Sequence, residues 1–417
     1  MDKVKIFNSS PLGKVKIPSS KSDAHRKIIA ASMAFGQTSV ISGVDFSSDI
    51  LKTIDAMKFF AQIEILNNKV IINSKYPNKD EAEFDAFESG STLRFLIPLF
   101  SHFFNETKIY GSKRLLSRPL DIYQEIYGDN LSLQEDHLTL KGSLKAREYN
   151  IRGDISSQFI SGLLFVLPLL EEDSKITILP PYESKSYVDL TISVLKEFGI
   201  EINEENNSYY IKGKQKYIAK DVEVESDYSQ LAFFAVLGVI NSTVEVEVVN
   251  KKTLQGDYRI IEIIKSFNGE VEDIDNGFIF KKSNLKGTTL SLKDNPDLGP
   301  ILFVLSVFSE GTTHILDTAR LRLKESDRIL SMKEELAKFG VEIEDKDNEV
   351  VIRKQTPQNT SEVINPHNDH RILMALVILS TVLENTRFED IKCVNKSYPK
   401  FFDDLFSLGV KGEYYED

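Results

Sequence analysis

Cysteine is nearly missing from this 417-residue chain, Cys393 being the only one. A single cysteine permits no intrachain disulfide and makes a cysteine-based zinc site implausible. Long apolar runs are lacking too. The longest, Phe159 to Leu170 and Ile372 to Leu383, fall well short of the ~20 residues that span a bilayer, so no membrane span is expected. Positive charge is in deficit, with 51 Lys and Arg against 63 Asp and Glu and a net charge of −12. That balance removes the electrostatic footing of general nucleic-acid binding. The opening Met1-Asp2-Lys3-Val4-Lys5-Ile6 has no basic stretch followed by an apolar run and a small-residue cleavage site. No secretory leader is therefore expected, and the expected location is the cytoplasm. Neither G-x-x-x-x-G-K-[ST] nor G-x-G-x-x-G nor G-x-S-x-G occurs. Nucleotide binding on one Gly-rich loop and a serine-hydrolase elbow are disfavoured accordingly.

What remains is an ordinary globular composition, 41% hydrophobic and 27% charged, in a length that favours two domains. One pattern recurs six times, about 70 residues apart: a polar start, an apolar helix, a turn, then a Thr/Val/Ile-rich strand. The helices predicted in the first three copies are Ile28–Phe35, Leu93–Phe104 and Phe159–Leu170, entered through Ser20-Lys21-Ser22, Ser89-Gly90-Ser91 and Ser156-Ser157-Gln158. Those in the last three are Leu231–Ile240, Ile301–Phe308 and Ile372–Leu383, entered through Ser226-Asp227, Pro296-Asp297 and Asn368-Asp369. A second, amphipathic helix follows in each copy, beginning near Ser48, Ser117, Ser186, Gly256, Ser326 and Ser397. In the fifth copy Ile329, Met332, Leu336 and Phe339 form its apolar stripe and Gly340 its stop. Alternation of strands with two helices predicts layered α/β structure in which the first helices are buried.

Polar residues gather at the N-termini of these helices, where Ser and Asp cap the first turn and unpaired N–H groups can face an anion. Basic residues keep them company: Lys21, Arg26, Arg94, Arg118 and Lys185, then Lys324, Arg328, Arg371 and Lys396. Cations at helix N-termini oppose the helix dipole, and a bound phosphate or carboxylate resolves that conflict. Pairing with neighbours such as Asp327 or Asp369 is the structural alternative for any one of them. Asp297 and Glu325, set among these cations, are candidates for proton transfer, although an Asp at a helix start also serves as a cap. His367 and His370 are three apart and could share a helical face, but no further ligand spacing is evident and no metal is expected.

These residues, in this order and spacing, resemble the enolpyruvyl transferases, and among them the branch acting on shikimate 3-phosphate. The likeness spans nearly the whole chain. It rests on Pro18-Ser19-Ser20-Lys21-Ser22 with Arg26, Ser89-Gly90-Ser91-Thr92-Leu93-Arg94, Arg118-Pro119-Leu120, Ser156-Ser157-Gln158-Phe159 and Ser184-Lys185-Ser186-Tyr187. It continues through Pro296-Asp297, Lys324-Glu325-Ser326-Asp327-Arg328, Asn368-Asp369-His370-Arg371 and Lys396-Ser397-Tyr398-Pro399.

The resemblance implies two domains, each of three βαβαββ repeats with buried helices, an inside-out α/β barrel, with the active site in the cleft between them. Residues 1–17 with 226–417 would form the domain holding both termini, and 18–225 an inserted domain with most shikimate 3-phosphate contacts. The implied reaction moves the enolpyruvyl group of phosphoenolpyruvate to the 5-hydroxyl of shikimate 3-phosphate, with no cofactor and no metal. By position, Lys21, Ser22, Arg26, Ser156, Ser157, Gln158, Ser184 and Tyr187 would hold shikimate 3-phosphate, with Asp297 and Lys324 reaching it. Lys21, Gly90, Ser91, Arg118, Gln158, Arg328, Arg371 and Lys396 would hold phosphoenolpyruvate. Asp297 would take the hydroxyl proton, while Glu325 with Lys324 or Lys21 would deliver one to the methylene carbon. A monomer is expected, with glyphosate as a candidate inhibitor.

Three departures from the family pattern touch this scheme. Glu88-Ser89-Gly90-Ser91 stands where Asn-Ala-Gly-Thr is common, Arg320 where an Asn is common, and Ser20 where a Gly is common. The sister branch acting on a UDP-linked amino sugar typically has Asn after the first Lys and a Cys in a mobile loop. Here Ser22 follows Lys21, and Cys393 lies near the C-terminus. A repeat scaffold that binds anions without turnover is the reading from a different class, and it gives no reason to set Asp297 and Glu325 among cations.

Overall fold

The computed structural model describes residues 2–416. The chain divides into a central unit, Ser19–Glu225, and a terminal unit, Met1–Pro18 with Ser226–Asp417. Each unit contains three four-stranded sheets built on one plan. In the second copy Glu81–Asp85 pairs parallel with Glu106–Tyr110 across the helix Gly90–Phe103, while Leu131–Leu133 and His137–Lys141 form a hairpin whose second strand returns antiparallel to Glu106–Tyr110. A parallel pair needs a crossover, and in the second, third, fifth and sixth copies the first helix supplies it between the two flanking strands.

Three sheets are completed from a distance. Val222–Glu223 pairs parallel with Thr38–Ser42, so the end of the central unit supplies the first strand of its own first copy. In the terminal unit Val4–Ile6 lies between Thr386–Phe388 and Gly412–Tyr414, and Leu12–Lys16 pairs parallel with Thr243–Glu247. The chain thus starts the terminal unit, builds the central one, and returns.

The first helices form the cores. Every residue of Tyr228–Ile240, Gly299–Val307 and His370–Ser380 is buried, and these three helices pack on one another within the terminal unit. Each large apolar side chain so buried contributes roughly 1.5–3 kcal/mol, which accounts for helices with almost no polar face. The second helices differ from the expected starts in three copies. In the second, Arg118-Pro119 breaks the run: a turn of helix, Lys113–Leu116, ends before it and Asp121–Tyr127 begins after it. In the fourth, Gly256–Arg259 is a 3-10 turn leading into the α-helix Ile260–Ser266. In the sixth, Ile391–Lys396 is a 3-10 turn and the α-helix Phe401–Ser407 starts beyond Pro399.

One helix carries a proline in its interior. Pro98 has no N–H to give the carbonyl of Arg94, four residues earlier. The Tyr123 hydroxyl fills that vacancy, donating to Arg94 O at 2.5 Å. Gly162 makes the approach possible, because a Cβ there would stand 2.4 Å from the Tyr123 hydroxyl and 2.5 Å from Arg94 O.

Among the described residues no helix is long and apolar enough to cross a membrane.

Candidate active site

In the central unit the first helices are buried except at their ends, and the N-terminal openings fall on Lys21 and Ser22, on Ser91, and on Gln158. Each N-terminus is capped as its sequence predicts: Ser20 Oγ accepts from Asp23 N, Ser89 Oγ from Thr92 N, and Ser156 Oγ from Gln158 N. Each such cap stabilises its helix by about 1 kcal/mol.

Arg26 is buried one turn into the first helix, with its guanidinium spread over three neutral oxygens. It donates to Ser22 O at 2.6 Å, Tyr187 O at 3.1 Å and Thr191 Oγ1 at 2.7 Å. This joins the first copy to the helix Lys185–Glu197 of the third, and it gathers Lys21, Ser22, Arg26, Ser184 and Tyr187 around one helix end. Burial draws the Arg26 pKa down to about 10, which leaves it charged near neutrality. Ser184 holds a left-handed backbone, φ 53°, immediately before that helix. Lys21 reaches Asp49 Oδ2 at 2.8 Å, a partner with no motif to announce it in the sequence.

Gln158 links the second and third copies. Its Oε1 accepts from Arg94 Nη1 at 2.9 Å and its Nε2 donates to Ser91 Oγ at 3.0 Å, while Arg94 Nη2 holds Pro119 O at 3.0 Å. Ser156, Ser157, Gln158, Gly90 and Ser91 therefore share one region of the unit. Arg118 lies directly on the Gly90 backbone, since a Cβ at Gly90 would stand 2.7 Å from Arg118 Nη1. A side chain at this position would have to displace the Arg118 guanidinium. Lys185 turns elsewhere, to Asp189 Oδ1 at 2.5 Å and Glu204 at 3.1 Å. For this cation the ion-paired alternative applies.

The terminal unit gathers its charged groups differently. Asp297, in the 3-10 turn Pro296–Leu298, accepts from Arg328 Nη1 at 2.9 Å and Lys324 Nζ at 3.1 Å through Oδ1, and its Oδ2 faces Arg371 Nη2 at 3.4 Å. Arg328 is also held by Asp369 at 2.9 Å and Glu325 at 2.7 Å. Asp369, fully buried, caps its own helix by accepting from Arg371 N. Arg371 further donates to Ser229 Oγ at 3.0 Å. Asp297, Lys324, Glu325, Arg328 and Arg371 thus form one cluster. Lys396 stands beside it, donating to the Asn368 carbonyl.

Electrostatics follow from this packing. Burial works to raise the Asp297 pKa, yet Arg371, Lys324 and Arg328 override it and hold the carboxyl well below its ordinary value. Burial lowers Lys324 to about 8, with Asp297 opposing and Arg328 and Arg320 adding to the fall. Arg328 shows the reverse balance: burial opposes its charge, but Asp369, Glu325 and Asp297 hold its pKa above the usual arginine value. The arrangement supplies an ionised carboxylate and an ammonium poised near neutrality, 3.1 Å apart. Paired acid and base groups of this kind suit proton transfer.

His367 and His370 do not share a helical face. His367 has a left-handed backbone ahead of the helix and turns to Glu335 at 3.2 Å, whereas His370 is buried at the helix start. Cys393 is buried, and burial pushes its thiol up to about 12.

Two α/β units, each of three repeated four-stranded sheets around buried helices, carry cations at their helix starts, the arrangement of a protein that handles small anionic ligands. Residues 9–405 match the sequence model of EPSP synthase (3-phosphoshikimate 1-carboxyvinyltransferase). A 3-phosphoshikimate 1-carboxyvinyltransferase of Clostridium botulinum strain Eklund 17B is 40% identical over 432 aligned residues, covering 100% of this chain and 99% of that one. One of Clostridium perfringens strain ATCC 13124 is 42% identical over 426, covering 99% and 100%. The EPSP synthase structure from Acinetobacter baumannii superposes with a TM-score of 0.79 at 25% identity, covering 99% of each chain. The enolpyruvyl transferase NikO from Streptomyces tendae has the same fold, with a TM-score of 0.80 at 13% identity over 99% of this chain and 98% of that one. The chain belongs to the EPSP synthase family.

Proposed function

We propose that this chain transfers the enolpyruvyl group of phosphoenolpyruvate to the 5-hydroxyl of shikimate 3-phosphate, a step of aromatic amino-acid biosynthesis. The hydroxyl oxygen attacks C2 of phosphoenolpyruvate as a proton adds to its methylene carbon, giving a tetrahedral ketal phosphate. Loss of phosphate, with loss of a proton from the new methyl group, leaves the enol ether. The full-length family match supports this reaction, and the observation that carries the chemistry is Asp297 held among Lys324, Arg328 and Arg371.

In this reading the central unit supplies most of the binding groups, and the terminal unit supplies the base together with further cations for phosphoenolpyruvate. Lys21, Ser22, Arg26, Ser156, Ser157, Gln158, Ser184 and Tyr187 take shikimate 3-phosphate, and Gly90, Ser91 and Arg118, with Lys21 and Gln158, take phosphoenolpyruvate. Arg328, Arg371 and Lys396 add positive charge for the phosphate and carboxylate of phosphoenolpyruvate. Preorganised charge of that kind stabilises the ketal without reorganisation at the moment of reaction. Asp297 takes the hydroxyl proton. In the free protein its cations make it a weak base, but a substrate anion shared with Arg371 and Lys324 weakens their hold and raises its proton affinity. Lys324, or Glu325 or Lys21, supplies the proton to carbon.

Inorganic phosphate release from phosphoenolpyruvate tests the reading, with shikimate 3-phosphate and UDP-N-acetylglucosamine offered separately. Release with shikimate 3-phosphate alone is expected. Release with the amino sugar alone defeats the acceptor assignment, and release with neither defeats the enzyme. The same reading carries a monomer working in the cytoplasm and inhibited by glyphosate. Sedimentation and a glyphosate titration of that assay check the monomer and the inhibition.

A further inference from the structure

The central unit contains a buried histidine to which the proposed reaction assigns no role. His25 lies on the helix Lys21–Ser32, between Lys21 and Arg26. Its Nδ1 is 2.7 Å from Thr53 Oγ1, and Thr53 Oγ1 is 2.7 Å from Thr92 Oγ1. Thr92 Oγ1 then donates to Ser89 Oγ at 2.7 Å. Ser89 Oγ also accepts from Thr92 N at 3.1 Å and so caps the helix Gly90–Phe103. All four side chains are fully buried. The chain spans three helices, Lys21–Ser32, Ser48–Met57 and Gly90–Phe103.

Each hydroxyl has a single proton to give, so the direction of donation along this chain is determined. The Thr92 proton goes to Ser89 Oγ at 2.7 Å rather than to the more distant Asp49 carbonyl at 3.5 Å, and with either acceptor Thr92 accepts from Thr53, and Thr53 from His25 Nδ1–H. Burial, with Lys21 and Arg26 nearby, pushes the His25 pKa well below the usual histidine value, so the ring is neutral. Nε2 is then a bare lone pair, buried and without a hydrogen-bond partner. Leaving a buried polar atom unsatisfied costs about 1–3 kcal/mol. An apolar side chain would avoid that cost if packing were all this position required.

The other end of the chain explains what is gained. Ser89 caps a helix whose first residue, Gly90, lies under the Arg118 guanidinium. A helix N-terminus and an arginine repel one another until an anion lies between them. Keeping the helix end in place before substrate arrives requires a support for the helix itself that is independent of that anion.

We propose that His25 is a positioning residue: through Thr53 and Thr92 it holds the Ser89 cap, and with it the Gly90–Ser91 backbone, in the place where phosphoenolpyruvate binds. The chain also starts on the helix that carries Lys21 and Ser22, so it keeps the two substrate-facing helix ends at a fixed separation. The inference rests on the proposed function, which puts phosphoenolpyruvate at that end.

The test is steady-state kinetics on the full-length enzyme, wild type first. Wild-type protein that fails to turn over overturns the proposed function and this inference together. With wild-type turnover in hand, Thr53→Val removes the link while keeping the side chain's shape. The expected result is a KM for phosphoenolpyruvate about fivefold higher, the loss of roughly one hydrogen bond, with kcat and the KM for shikimate 3-phosphate within about twofold. Thr53→Ser, which restores a hydroxyl, is expected to return the phosphoenolpyruvate KM to the wild-type value. Thr92→Val breaks the chain at its next link and carries the same expectation should Thr53→Val fail to fold. An unchanged phosphoenolpyruvate KM in a folded variant overturns the proposal. So does an equal rise in both KM values, or a Thr53→Ser enzyme that behaves like Thr53→Val.

Discussion

The two units handle buried positive charge in opposite ways. In the central unit Arg26 rests on two backbone carbonyls and a threonine hydroxyl, and Arg94 on a glutamine amide and a proline carbonyl. In the terminal unit Arg328 is held by three carboxylates, and Lys324 and Arg371 share one of them. Neutral partners satisfy a guanidinium's hydrogen bonds while leaving its charge to attract an anion. Carboxylate partners neutralise the charge and are themselves set up to exchange protons. The division holds for the arginines and not for the lysines: Lys21 and Lys27 of the first helix are held by Asp49 and Asp23, whereas its arginine keeps neutral partners. The proposed function gives this contrast a use: the arginines of the central unit stay open to an anion, while the carboxylates of the terminal cluster include the proposed base.

The largest effect expected is on turnover. Asp297→Asn keeps a polar side chain in place but removes the base, and should lower kcat by ~10²–10⁴-fold, the usual share of general acid–base catalysis. Far-UV circular dichroism should stay that of the wild type. An Asp297→Asn enzyme with full activity would break the division, because the terminal cluster would then be an ion-pair brace and nothing more. In the central unit Arg118→Ala should act on binding alone. Loss of a charge-assisted contact costs about 2–5 kcal/mol, so the KM for phosphoenolpyruvate should rise ~30-fold or more with a far smaller change in the KM for shikimate 3-phosphate. Equal changes in both constants would remove Arg118 from that role.

The pH dependence is smaller and more selective. Burial places Lys324 near pKa 8, and as an acid it must be protonated. Then kcat/KM should hold below that pH and fall about tenfold per unit above it. Asp297, held well below the ordinary carboxylate value, stays ionised throughout this range and adds no limb near neutrality. Lys324→Arg fixes the charge and should flatten the alkaline fall, at whatever rate the variant retains. A fall that survives in Lys324→Arg would transfer the titration to another group.

Much of this framework can be read before any coordinates. The apolar helices, their Ser and Asp starts and the β-branched strands after them repeat at a spacing that local chemistry dictates, and the caps at Ser20, Ser89 and Ser156 form as those residues predict. What stays hidden is non-local. Val4–Ile6 and Val222–Glu223 are too short to announce themselves, and their partners, Thr386–Phe388 and Thr38–Ser42, are far away in the chain. Lys21 and Arg328 could each be placed at a helix start, but their partners Asp49 and Asp369 are chosen by tertiary packing. Proline explains two of the shifted helices: Pro119 and Pro399 delay starts that apolar spacing alone puts earlier. The buried chain from His25 to Ser89 links His25, Thr53 and Thr92, on three helices, which no spacing rule connects.

The smallest expected effect tests the neutral support of the central unit most directly. Pro98 strips the Arg94 carbonyl of its helical donor, and the Tyr123 hydroxyl replaces it. Tyr123→Phe removes that hydroxyl alone and leaves a buried carbonyl unsatisfied, at a cost of about 1–3 kcal/mol. Urea unfolding should show this as a lower midpoint with an unchanged m-value. Because no charge is involved, the loss should be the same from pH 6 to pH 8, roughly the span over which a titrating support would vary. Arg94 carries both the carbonyl and the guanidinium that orients Gln158, so the kinetic effect should be a slight rise in both KM values with kcat kept. A stability loss that varies with pH would mean that the central unit also depends on an ionised partner at this point, and the contrast between the units would fail where it is most local.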